Sequence, residues 1–178
     1  MGALSTFASI SRLHIVAIAA LGTLTFGWLF TGSYPWLLAL ICALDWFIVN
    51  LLNRVVDLAE DRVNRITGVA FVDRNRRAII IAGFSLLIGS LIVSAIVSPL
   101  LTVLRVIYHT LGLAYNWPIL PGSRRIKELY FWKNTASAMG FIITVFLYPL
   151  SLVAWGTDPG LAPGITPATL WLSGAFFI

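Results

Sequence analysis

Charge is scarce in this chain. Of its 178 residues only 11% are Asp, Glu, Lys or Arg, while 59% are hydrophobic. Soluble domains carry about 25% charged residues, so a single water-soluble core is excluded. Cysteine is nearly absent too. Cys42 is the single one and lies in an apolar run, which excludes a disulfide and a cysteine-based zinc site and leaves packing as its role. Acidic residues number seven against twelve basic, for a net charge of +5. In a soluble chain that excess would suggest nucleic acid. Here the basic residues gather between apolar runs, the topology signal of a membrane protein, and nucleic-acid binding is set aside on that ground. Arg12 precedes the first apolar run, but no A-x-A cleavage site follows, so that run reads as a retained helix.

What is present is a series of runs near the ~20 apolar residues that cross a bilayer. The first spans about Leu13 to Phe30, and a turn follows at Thr31–Pro35. The second runs from Trp36 to about Val56 and leads into a polar stretch, Asp57 to Arg77. The third covers Ala78 to Val97, and Ser98-Pro99 turns into the fourth, Leu100 to about Tyr115. A second polar stretch, Asn116 to Asn134, precedes the fifth span, Thr135 to Trp155. After a Gly- and Pro-rich loop, Gly156 to Pro167, a sixth run begins near Ala168 and is still apolar at Ile178. The expectation is one all-α transmembrane domain over residues 1–178. It is a polytopic helical bundle of five full spans plus the start of a sixth, with further helices expected beyond.

The charges agree with that count. Arg12, the cluster from Arg54 to Arg77 and the group from Arg124 to Lys133 place eleven of the twelve Lys and Arg on one membrane face. Only Arg105 falls inside a span. The positive-inside rule makes that face cytoplasmic, together with the N-terminus, in a multi-pass protein of the cell inner membrane.

One segment carries chemistry. Asn53, Asp57 and Asp61 are each four apart and stack on one helical face, joined by Asn50 and Asn64 at spacing three. Two carboxylates one turn apart repel, and a divalent cation relieves the repulsion. Mg2+ takes oxygen ligands, commonly one or two carboxylates plus substrate phosphates. Arg54, Arg62 and Arg65 are placed to hold remaining phosphate charge. The plain alternative is a solvated helix end in which Asp57 pairs with Arg54 and Asp61 with Arg65, pairs worth little.

This segment resembles the first acidic motif of the UbiA superfamily of intramembrane prenyltransferases, N-D-x-x-D-x-x-x-D at the end of the second helix. Asn53, Asp57 and Asp61 occupy its Asn and last two Asp positions, and Arg54 stands where the first Asp is usual. Tyr115-Asn116-Trp117-Pro118, Pro121, Arg124, Arg125, Lys127 and the pair Tyr130 and Lys133 look like that family's loop after helix four, with its Y-x-x-K element. The resemblance implies a nine-helix fold around a central cavity. It also implies transfer of a prenyl group from an isoprenyl diphosphate to an acceptor the sequence does not identify. It assigns Mg2+ to Asn53, Asp57 and Asp61, catalysis to Asp57, Asp61 and Lys133, and substrate binding to Asn50, Asn53, Arg54, Asn64, Arg65, Tyr115, Arg124, Lys127 and Tyr130. The family's second acidic motif has no counterpart after Asp61, so these 178 residues alone are expected not to turn over.

Other polar residues lie within spans. Asp45 sits about 80° around the helix from Asn53. Arg105, Tyr108 and His109 share a face of the fourth span, so Arg105 either pairs with Asp45 across the bundle or lines a cavity. A CDP-alcohol phosphotransferase is disfavoured because three residues, not two, separate Asp57 from Asp61 and no D-G follows. The remaining alternative is a transporter or non-catalytic subunit with an ion path through Asp57, Asp61 and Arg105.

Overall fold

The computed structural model describes residues 3–155 and 171, and every regular element among them is helical. A short helix α1 (Ala3–Ser11) turns at Arg12, whose backbone is left-handed (φ 50°), into α2 (Leu13–Thr31). Gly32 ends α2 with φ 71°, its N–H bonded to the Trp28 carbonyl at 2.8 Å. Then α3 (Trp36–Val56) returns antiparallel, so close that a Cβ on Gly27 would clash with Cγ and Cδ of Pro35.

The first polar stretch folds as two short helices, α4 (Leu58–Val63) and α5 (Val69–Arg74). Next comes α6 (Arg76–Val97), then α7 (Pro99–Asn116), which opens with Pro at its first position and a Ser98 hydroxyl accepting from the Leu101 N–H. After a loop and a 3-10 turn at Ile126–Glu128, α8 (Tyr130–Phe141) passes through a π-helical segment, Ile142–Leu147, into α9 (Tyr148–Trp155).

The buried helix α3 packs against α2, α6 and α7. The main apolar core joins Phe26 and Phe30 of α2, Leu38, Cys42 and Val49 of α3, Tyr108 of α7, and Ile143, Val145 and Tyr148. By contrast α6 turns Ile81, Leu86, Ile88, Ile92, Val93 and Ile96 outward. Such a face is at home in lipid.

Among the described residues four helices are long and apolar enough to cross a membrane: Leu13–Thr31, Trp36–Val56, Arg76–Val97 and Tyr130–Leu152. The expected fourth span is present as α7 but is not among them, because Arg105, His109 and neighbouring polar groups lower its hydropathy. The expected fifth starts earlier, at Tyr130. The sixth lies outside the described residues.

Candidate functional site

The carboxylate stripe survives a break in the helix. At Asp57 the backbone relaxes to φ −86°, ψ 9°, ending α3. The i to i−4 bonds nevertheless continue, Asp57 N–H to the Asn53 carbonyl at 3.0 Å and Asp61 N–H to the Asp57 carbonyl at 2.8 Å. Asn50, Asn53, Asp57 and Asp61 are all buried.

Each carboxylate has a cationic partner, and the partners differ from the expected neighbours. Arg54 bonds not Asp57 but Asp61, its Nη1 donating to both oxygens at 2.9 and 2.8 Å. Its other nitrogens donate to the Ile10 carbonyl at 3.3 Å and the Ser9 carbonyl at 3.0 Å, fastening α1 to α3. Asp57 Oδ1 accepts from Lys127 Nζ at 2.6 Å and from Arg125 at 3.4 Å. Those two cations also hold Glu60, at 2.8 and 2.7 Å, and the Lys127 ammonium foremost keeps the Glu60 carboxyl below its ordinary pKa. Arg65 has no part in this. It lines a second hollow beside α5, which Asp61 also borders and where Arg62 and Asp73 are paired.

Two cavities meet at this point. A polar one of about 820 Å³ is walled by Arg54, Asp57, Glu60, Asp61, Asn64, Lys127 and Lys133. An apolar one of about 190 Å³ lies among Trp46, Val49, Leu111 and Phe141, with Asn50, Asn53 and Tyr108 on its wall. Arg12, Ile15, Tyr115 and Asn116 line both. Three buried polar atoms on the apolar cavity's residues have no hydrogen-bond partner among the described residues: Asn50 Nδ2, Asn53 Oδ1 and the Tyr108 hydroxyl. Buried polar groups are normally paired, so these are open bonding positions. Trp46 stacks at a tilt on Phe141 (4.5 Å between centroids) and Tyr108 (5.5 Å), giving the cavity aromatic walls.

The structure thus brings Asn50, Asn53, Arg54, Asp57, Asp61, Asn64, Tyr115, Lys127 and Lys133 to one double cavity. Arg65, Arg124 and Tyr130 line neither chamber. Tyr130 is 87% exposed, and Arg124 engages the chain through its backbone carbonyl, which accepts from the Leu120 N–H. Sequence reasoning missed Arg12, Glu60 and Asn116. Burial, and next the Arg54 charge, lower the Arg12 pKa. Its signal in the sequence, a lone charge before the first span, is fully accounted for by topology, which hides the second role.

Asp45 is a separate centre. Arg105 grips it through Nε (2.9 Å) and Nη2 (2.6 Å), His109 Nε2 lies 3.0 Å away, and the Tyr148 hydroxyl donates at 2.9 Å. Arg105 also donates to the Ser90 carbonyl and hydroxyl. The expected pairing across the bundle is found, and it ties α3, α6, α7 and α9 together. Set against family models, curated proteins and solved structures, the chain matches none of them.

Proposed function

We propose that this chain carries the diphosphate site of a membrane prenyltransferase, which moves an isoprenyl group from an isoprenyl diphosphate to an acceptor held in the same bundle. One observation carries the reading: a cation- and carboxylate-lined chamber shares four wall residues with an aromatic-lined apolar one. That is the shape of a substrate with an anionic head and a hydrocarbon tail. Arg12, Lys127 and Lys133 supply donors to phosphate oxygens. The apolar walls hold the tail and exclude water, and their aromatic faces favour positive charge developing at the prenyl carbon.

The residues present fit Mg2+. Asn53 Oδ1 is buried without a partner among the described residues, one turn from Asp57. Among the described residues no group of three acidic, His or Cys side chains is placed to hold a metal, so in this reading substrate phosphates supply the remaining ligands. When bound, Mg2+ acts as a Lewis acid toward the leaving diphosphate. The basic loops are assigned to the cytoplasmic side of the inner membrane, since positive charge is retained there.

The test is binding of a fluorescent isoprenyl diphosphate to the purified chain in lipid nanodiscs. Binding should require Mg2+ and be lost in Asp57→Ala. Binding indifferent to both would defeat the proposal and favour the transporter reading.

A further inference from the structure

We infer that Arg54 stands in for a metal ion at Asp61, so that the site takes one divalent cation, at Asp57. The inference rests on the diphosphate reading above and sharpens its metal requirement. Both Asp61 oxygens accept from the one Arg54 nitrogen, and the two side chains are only 9% and 8% exposed. The guanidinium cannot shed its proton. It is also held by two carbonyls in the last turn of α1, from Ser9 and Ile10. A metal at Asp61 would have to displace it, stranding a buried charge and releasing α1 from α3. Breaking a buried pair in that way is strongly unfavourable. Asp61 is therefore already neutralised from within the chain.

Asp57 is as buried but differs in its bonding. Only its Oδ1 is bonded, and among the described residues nothing bonds Oδ2. Around it Asp57, Glu60 and Glu128 share Arg125 and Lys127, three carboxylates against two cations. Arg12 and Lys133 line the same chamber, so the two acids are told apart by their bonding, one oxygen used at Asp57 and both at Asp61, and not by net charge. The unpartnered Asn53 Oδ1 lies one turn before Asp57. A divalent ion arriving with a diphosphate finds a carboxylate oxygen without a bonding partner among the described residues and an amide oxygen here, and a closed ion pair one turn further on.

The experiment is equilibrium dialysis of the purified full chain in detergent against Mn2+, a countable substitute for Mg2+, with inorganic diphosphate present. Manganese and phosphorus are measured on both sides. One retained Mn2+ per retained diphosphate per chain is expected. Asp61→Asn should keep that ratio, Asp57→Asn should lose the metal, and Arg54→Ala should admit a second ion. Circular dichroism checks that each variant folds, and the native ratio decides the matter even where a variant does not. Two Mn2+ per native chain, or loss of metal in a folded Asp61→Asn variant, would overturn the inference and leave the diphosphate reading standing. Diphosphate retained without metal would also overturn it. Failure to retain diphosphate at all would remove both.

Discussion

The Asp45 centre allows a sharp energetic test. Asp45 is 0% and Arg105 1% exposed, and two charge-assisted bonds join them. Asp45→Leu leaves a guanidinium inside the bundle without its carboxylate, and removes the acceptor of Tyr148 and the partner of His109. Breaking a buried pair from one side costs about 3–5 kcal/mol. Neutral interhelical hydrogen bonds in membrane proteins average only about 0.6 kcal/mol, so the charge accounts for most of the expected loss. Arg105→Met should cost a similar amount by stranding Asp45. The double variant carries no unpaired charge and should be no worse than either single one, which makes the coupling in a double-mutant cycle at least about 3 kcal/mol. The assay is reversible unfolding in mixed micelles with increasing SDS, followed by tryptophan fluorescence. Single-variant losses below about 1 kcal/mol, or losses that add in the double variant, would refute the claim that a desolvated charge pair holds these helices.

Four further outcomes are expected. Gly27→Ala should destabilise by about 1–3 kcal/mol in the same assay, because the added Cβ meets the rigid Pro35 ring rather than a movable side chain. Arg12→Gln and Lys133→Gln should each weaken diphosphate binding about tenfold, by calorimetry, as one charge-assisted bond is lost. The Glu60 carboxyl is depressed in the fold, so its bonds to Lys127 and Arg125 add stability at neutral pH that is lost as pH falls through the lowered value. Hydrogen exchange in residues 117–129 should therefore rise only below about pH 4.3, the ordinary glutamate value, and a rise centred above about pH 5 would contradict this. Finally, in the Cys42→Ser background, Gly32→Cys should react with an impermeant thiol reagent from outside the cell, and Arg124→Cys only after the membrane is opened.

The helices were legible because apolar runs of bilayer length leave little choice. Leu13, Trp36 and Val97 mark helix ends in both the sequence reading and the structure. What stayed hidden has local causes. The segment before Arg12 carries small and hydroxyl residues with no periodicity to announce α1, and the fold-back depends on a left-handed arginine that no pattern marks. The stripe itself was visible, since spacing by four is a geometric property of any helix. Its partners were not. Arg54 reaches Asp61 across two turns and Lys127 reaches Asp57 from another element, while spacing rules point to neighbours three or four away. The pairing of Asp45 with Arg105 was foreseeable because a charge inside a span needs a partner and the bundle offers few.

The π-helical segment at Ile142–Leu147 has a consequence for how this sequence tolerates change. Such a segment fits one more residue into a turn than an α-helix does. Plain α geometry through the same residues would swing everything after it by about 100°, turning the Tyr148 hydroxyl away from Asp45. The Thr144 carbonyl in this segment also accepts from the Thr23 hydroxyl at 3.2 Å. Shortening a packed helix by one residue ordinarily scrambles every contact downstream. Between positions 142 and 147 the same deletion would simply straighten the coil and return Tyr148 to its place.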